Sequence, residues 1–385
     1  MANFTLQLLH HADFEGNTNT LTDAPKLAAI IDYFDDFYVG NTLKLSGGDN
    51  WIPSPWYNAQ LSDEEELRAA VQAAYEEDLG LPAGTLSSIE IGPGVVDQAL
   101  INLMGIQAST LGNHEFDQGP DDVARIINPA IVDGADATWQ NVANVGSYFP
   151  YITTNLDFSS SADLASTFSS AVRNVDTYGL DALSASVDDV SSAIVASGAT
   201  MIAPAAVVVI GGETIGLVGG TTQRLETISS PGDVTVIGAD DDNMDVLATQ
   251  IQAQVDSLTA QGVNKVIVIT HLQDYQNEVE LASKLSGVDI ILSAGSDAIF
   301  ADSTDTIKAS HVINESTYPL VHVGADGNPV LQVNTDGQYH YLGRLVVDFD
   351  ENGVIIPGSI DAVESGAYAT EVSVIDALYG SANPY

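Results

Sequence analysis

Leu111-Gly112-Asn113-His114-Glu115-Phe116-Asp117 is the stretch from which the rest of the chain can be read. Residues 99–111 before it lean apolar and predict a helix feeding a short strand. The run breaks at Gly112 and then offers an amide, an imidazole and a carboxylate at positions 113, 114 and 117. Such a strand-end loop is where α/β folds place their chemistry. An amide oxygen can ligate a hard metal, and an aspartate three residues beyond a histidine can hold it in one tautomer. One loop is suggestive; loops from several strands would make a site.

Working outward, residues 4–9 predict a buried strand that runs on into Asp13-Phe14-Glu15. Asp13 and Glu15 point to one side of an extended segment. They repel there unless a cation lies between them. Residues 23–37 have helical spacing, with Asp23 as the expected N-cap and Pro25 in the first turn. Residues 42–46 are a strand closed by Gly47-Gly48-Asp49-Asn50, whose glycines let the backbone approach a ligand. Residues 62–80 predict an acidic helix opened by Ser62 or Asp63. Residues 158–200, rich in Ser, Ala and Asp, read as a peripheral insertion.

The pattern sharpens again at a hairpin, 207–210 and 215–219, followed by a helix over 240–261. Residues 265–270 predict a fully buried strand that ends in His271. A helix over 278–285 leads to a strand over 288–292 and then to Ser293-Ala294-Gly295-Ser296-Asp297. Residues 329–333 and 341–349 supply the last strands. The Asp-rich run 348–353 imitates half of a calcium loop but lacks the closing glutamate, so it predicts a hairpin turn.

Composition narrows the function. Fifty-three acidic residues against 10 basic give a net charge of −43 in 385 residues. Nucleic-acid duplexes and anionic membranes are excluded as partners, because binding them needs Lys and Arg. A hydrophobic fraction of 45% argues against disorder. The remaining reading is an acidic coat suited to saline water, where charge is screened. There is no cysteine, the first residues predict a strand and not a signal peptide, and no apolar run approaches a membrane span. Strands alternating with helices predict a single α/β domain. Asp13, Glu15, Asp49, Asn113, His271 and Asp297 come from five strand ends, and acids, an amide and an imidazole converging in this way are what a metal site requires.

The order Asp-x-x, Gly-Gly-Asp-Asn (47–50), Gly-Asn-His-Glu-Phe-Asp (112–117) and Thr-His-Leu (270–272) resembles the calcineurin-like metallophosphoesterases, above all the catalytic domain of the 5′-nucleotidase branch. The likeness runs from about residue 4 to about residue 350 and is weak at 58–92 and 158–200. It implies a four-layer α/β/β/α sandwich over residues 1–365, a tail at 366–385, and no nucleoside-binding C-terminal domain. It also implies two metal ions bridged by Asp49. Asp13 would bind the first ion, and Asn113 and His271 the second. His114, oriented by Asp117, would serve the leaving oxygen. The implied activity is a phosphomonoesterase of the alkaline-phosphatase or 5′-nucleotidase type, acting on small phosphate esters for phosphate scavenging. The implied address is extracellular, with the periplasm second.

This chain departs from that family where Asp-x-His becomes Asp13-Phe14-Glu15 and Gly-His-x-His becomes Ala294-Gly295-Ser296-Asp297. The first site would then hold Asp13, Glu15, Asp49 and Asp297, a shell of hard oxygens favouring Ca²⁺, Mg²⁺, Mn²⁺ or iron. The second, open at Gly295, would take Zn²⁺, Mn²⁺ or iron. Phosphatase-like proteins of marine bacteria are similar in both substitutions. The competing expectation is a metal-binding structural or adhesive protein on a catalytically retired phosphoesterase fold.

Overall fold

The computed structural model describes residues 3–61, 64–180, 200–239 and 244–380. Two mixed sheets face each other. In the first, the strands run Ile355–Ile356, Tyr341–Phe349, Phe4–His11, Thr42–Ser46, Ala108–Thr110, Tyr151–Ile152 and Ile202–Ala203, and Gly366–Ala369 also pairs with Tyr341–Phe349. In the second, the order is Leu320–Val323, Pro329–Val333, Ile290–Ala294, Val266–His271, Glu213–Thr221 and Ala205–Ile210.

Alternation along the strands creates the layers, because successive side chains point to opposite faces. Leu6, Leu8, Leu43 and Leu45 meet Leu217, Ile267, Ile269 and Leu292 between the sheets. On the outer face of the first sheet, Leu9 and Tyr151 pack beneath Leu27, Ile30 and Phe34 of the helix Thr20–Asp35. On the outer face of the second, Val266 and Val268 lie under Leu247, Ile251 and Val255 of the helix Asp245–Ala260. Helix, sheet, sheet, helix: the four-layer expectation is met.

Several boundaries differ from the sequence reading. The first helix starts at Thr20, and Asp23 is not its cap. Asp23 instead pairs with Lys26 and Lys308, both at 2.9 Å, so two ammonium groups hold the carboxylate expected to cap the helix. The helix expected over 278–285 runs Tyr275–Ala282, opened by Asp274, whose side chain accepts from Gln276 N. The acidic helix spans Glu65–Asp78, and its expected caps Ser62 and Asp63 lie outside the described residues, as do 240–243 before Asp245. In the stretch read as a peripheral insertion, Phe158, Leu164, Tyr178 and Leu180 are buried in the first core; 181–199 lie outside the described residues.

The stretch read as a tail is folded from 366 to 380, and 381–385 lie outside the described residues. Gly366–Ala369 is a strand, and Val372–Tyr379 is a helix whose Tyr379 hydroxyl donates to Ala29 O at 2.7 Å. The Asp-rich run is a hairpin turn, with Asp350 Oδ1 accepting from Asn352 N and Val354 N. Among the described residues no helix is long and apolar enough to cross a membrane.

Candidate metal centre

The parallel strands Phe4–His11, Thr42–Ser46 and Ala108–Thr110 end side by side, and so do Val266–His271, Ile290–Ala294 and Pro329–Val333. Their following loops meet. Asp49 and His271 are the hub, with His271 Nε2 2.9 Å from Asp49 Oδ2 and His271 Nδ1 3.3 Å from Asp13 Oδ1. Asp13, Asp49 and His271 are all buried and offer ligand atoms within 4.8 Å of one another; Glu15, Asp49 and His114 form a second such group. Asn113 joins through Oδ1, 3.1 Å from His271 Nε2. Glu15 falls with His114, and Asp13 with His271, while Asp49 is common to both groups.

The loops are held by backbone geometry that side chains usually avoid. Glu15, Asp49, Gln273, Asp297, Gln338 and Tyr339 are the non-glycine residues with positive φ among those described, and all belong to these loops or their supports. Each costs on the order of 1–3 kcal/mol, and such outliers cluster at functional sites. Glycine is required at Gly112, where a Cβ would stand 2.1 Å from Asp49 Oδ1. Asp49 Oδ1 accepts from His114 N at 2.7 Å, and Gly295 N donates to both Asp13 oxygens at 3.0 and 3.1 Å.

Sequence reasoning missed the residue that ties these loops together. Glu115, fully buried, accepts from Asp49 N at 3.0 Å, Asn50 N at 2.6 Å and Gly112 N at 2.7 Å. Its signal was its place inside the quoted stretch, an acid beside Phe116 in an otherwise buried turn. Gln273 was missed too. A Cβ on Gly295 would lie 2.7 Å from Gln273 Nε2 and 2.7 Å from His271 Nε2, and Gln273 Nε2 donates to Asn113 Oδ1 at 2.5 Å. The position expected to be open is therefore filled by another residue's carboxamide.

His114 stands at the edge of the group. Its Nδ1 is 2.6 Å from Asp117 Oδ2, Asp117 Oδ1 accepts from Ser229 Oγ at 2.9 Å, and its Nε2 faces Glu15 Oε1 at 3.7 Å. Asp297 belongs to neither close group; it is exposed at the rim, its Oδ1 3.2 Å from where a Cβ of Gly337 would stand. His10 and His11 play no part. His11 is stacked on Phe14 with ring centroids 4.2 Å apart, and burial pushes both histidines down to about 3, which keeps them neutral.

Electrostatics shows what the group lacks. Burial, then the charges of Asp49 and Asp297, push Glu15 up to about 7. Asp13 is raised well above the ordinary range by burial, with His271 opposing and Asp49, Glu15 and Asp297 adding. Burial would raise Asp49 as well, yet the His271 charge and hydrogen bond hold it below its ordinary value. Burial would lower His271, but Asp49 and Asp13 outweigh it and lift the ring to about 10. Burial likewise opposes a proton on His114, and Asp117, Asp49 and Glu15 overcome it to about 9. A site that draws protons so strongly onto imidazole is one where positive charge is stabilised. Carboxylates, an amide oxygen and an imidazole are donors for hard and borderline metals, so the residues fit a metal pair.

No protein-family model matches the chain. The trifunctional nucleotide phosphoesterase YfkN of Bacillus subtilis is 28% identical over 264 residues, covering 68% of this chain and 15% of that protein. The 5′-nucleotidase of Mus musculus is 28% identical over 258 residues, covering 66% of this chain and 34% of its own. Among solved structures, a 5′-nucleotidase precursor from Thermus thermophilus superposes with a TM-score of 0.62 at 22% identity, over 96% of this chain and 55% of that one. Over about two thirds of its length the chain is thus similar to 5′-nucleotidases and nucleotide phosphoesterases, and it shares the fold of a solved 5′-nucleotidase precursor. The NAD nucleotidase of Haemophilus influenzae has the same fold, with a TM-score of 0.59 at 18% identity over 94% of this chain and 50% of that one. The chain spans about a seventh to a third of the two curated relatives and about half of the solved ones.

Proposed function

We propose that this chain is a metal-dependent phosphomonoesterase acting on small phosphate esters. The observation that carries the reading is the convergence of Asp13, Glu15, Asp49, Asn113 and His271 beside a histidine pinned by Asp117. Asp13, Glu15 and Asp49, with Asp297 at the rim, would hold an ion preferring oxygen, such as Ca²⁺, Mg²⁺, Mn²⁺ or iron. Asp49, Asn113 and His271 would hold a second, with Gln273 Nε2 beside them donating to Asn113 Oδ1; Zn²⁺, Mn²⁺ and iron suit that set. Bound ions would supply positive charge for the phosphoryl oxygens and a water activated for attack. The chain's 10 basic residues could not supply that charge themselves.

His114 keeps Nδ1 on Asp117, so its Nε2 is the atom that holds a proton on the Glu15 side of the centre. From there it protonates the departing ester oxygen. Glu115 fixes the Asp49 and Asn113 loops against each other, which sets the distance between what they bind. Phosphate scavenging outside the cytoplasm fits the acidic coat, whose self-repulsion is screened in saline water. Against the structural or adhesive alternative stands the His114–Asp117 pair, for which a scaffold has no need.

The test is His114→Asn. Its turnover on an aryl phosphate should fall by roughly 10²–10⁴-fold, the usual worth of a positioned general acid, while bound metal, counted by elemental analysis, stays at the parent's level. Parental turnover in this variant would overturn the mechanism.

A further inference from the structure

Beside the centre, and outside the residues assigned to it, lies a second convergence of ligand-type side chains. His311 Nδ1 is 2.8 Å from Asp336 Oδ2, and His340 Nδ1 is 3.0 Å from the same oxygen. The two rings stand edge to face with centroids 4.7 Å apart. Their ligand atoms lie within 4.8 Å of one another. The three side chains are only 17, 13 and 14% exposed, at the wall of a cavity that opens to solvent.

We propose that His311, Asp336 and His340 bind a divalent cation of the zinc class, at a site separate from the phosphoesterase pair. Three observations point there. The first is spacing. Bonds of ~2.1 Å at tetrahedral or octahedral angles put neighbouring ligand atoms roughly 3.0–3.4 Å apart, close to the two N···O distances seen. The donor set is the second. Two imidazoles and one carboxylate, with positions left for water, suit zinc and its neighbours better than calcium. This contrasts with the oxygen-rich centre next door.

The third is the backbone that assembles the group. Asp336 and His340 lie in one loop, and Gln338 and Tyr339 between them both take left-handed φ, 58° and 61°, which turns His340 back onto Asp336. His311 arrives from a separate excursion tied down at Asn314, whose Oδ1 accepts from Ile299 N at 3.0 Å. From outside, Asn19 Nδ2 lies 3.4 Å from His340 Nε2, which leaves Nδ1 as the inward atom.

The site also has an occupant's space. His311, Asp336 and His340 line a cavity of about 340 Å³ together with Asp297 and Gln338. Asp336 and Asp297 are close enough for their charges to repel. A cation held by the outer three would face the rim of the centre and offset that repulsion.

The experiment is a zinc count. The purified chain is stripped with chelator, equilibrated with Zn²⁺ alone and assayed by elemental analysis, alongside H311Q/H340Q and Asp49→Asn. The double variant should hold one zinc fewer than the parent. Asp49→Asn should lose zinc from the centre and keep the ion that the double variant lacks. Equal zinc in parent and double variant overturns the proposal, and so does loss of this zinc in Asp49→Asn. Should the double variant fail to fold, His311→Gln alone should weaken this zinc at least about tenfold, and unchanged affinity overturns the proposal. Hydrolysis is not the readout, so a chain that cleaves no phosphate ester would sink the proposed function and leave the zinc count to decide the site.

Discussion

Two clusters of histidine and carboxylate lie side by side in this molecule and are built in opposite ways. In the inner one, Asp49 and His271 are almost wholly buried, and each loop is fastened by backbone donors: His114 N to Asp49, Gly295 N to Asp13, and three N–H groups to Glu115. In the outer one, His311, Asp336 and His340 keep partial exposure and hold mainly to one another. The difference lies in what each would lose with its ion. Buried charges need partners, so the inner loops are organised around charge compensation. The outer side chains can be solvated, so an ion there is optional to the fold and free to exchange.

The sharpest way to break this comparison is Asp49→Asn. It removes the carboxylate shared by both inner groups, and aryl phosphate hydrolysis should fall on the order of a thousandfold; a variant within tenfold of the parent would put the working centre elsewhere. Next comes Glu115→Gln, which touches no substrate and keeps the shape of the side chain. It turns one acceptor into a donor facing backbone N–H groups. Affinity for Mn²⁺ at the centre, measured by calorimetry, should drop roughly 10–100-fold, as it does when a ligand's support is removed, and an unchanged affinity would show that the loops hold themselves.

The smallest expected effect tests whether burial alone, without a histidine nearby, behaves as stated. Asp97 lies under Gly16, accepting from Trp56 Nε1 at 2.8 Å and from Gln60 Nε2 at 2.5 Å. Burial raises its carboxyl from 3.8 to about 7 despite those bonds. Between these values the folded chain binds more protons than the unfolded one, so this group's contribution to stability falls as pH rises from about 4 to about 7. In Asp97→Asn the melting temperature should decline less steeply across that window than in the parent. Parallel profiles would mean that Asp97 titrates normally.

What could be read from the sequence divides along the same line. Strands such as Val266–His271 are apolar on both faces because they are buried on both, so the strands and the ligands at their ends were visible as a pattern. The inner residues follow their strands at fixed, short offsets. Glu115 and Gln273 were hidden because their roles depend on which loops become neighbours. The outer group was hidden more completely: His311 and Asp336 belong to connections, and only the turn at Gln338 and Tyr339 brings His340 to them. Asp23 misled for a related reason. It is a good cap by type, and Lys308, far along the chain, claims it.

The placement of the first strand has a consequence for biosynthesis. Phe4–His11 lies between Thr42–Ser46 and Tyr341–Phe349, paired in register from Phe4 with Phe349 to His10 with Gly343. Phe4 leaves the ribosome well before its partner Phe349, by roughly 15–70 s at ordinary elongation rates of about 5–20 residues per second. During that time one edge of the opening strand waits for a neighbour not yet made. Long-range pairing of this sort is slow and leaves a nascent sheet prone to wrong partners. With a net charge of −43, mutual repulsion among unfinished copies would act as their own chaperone.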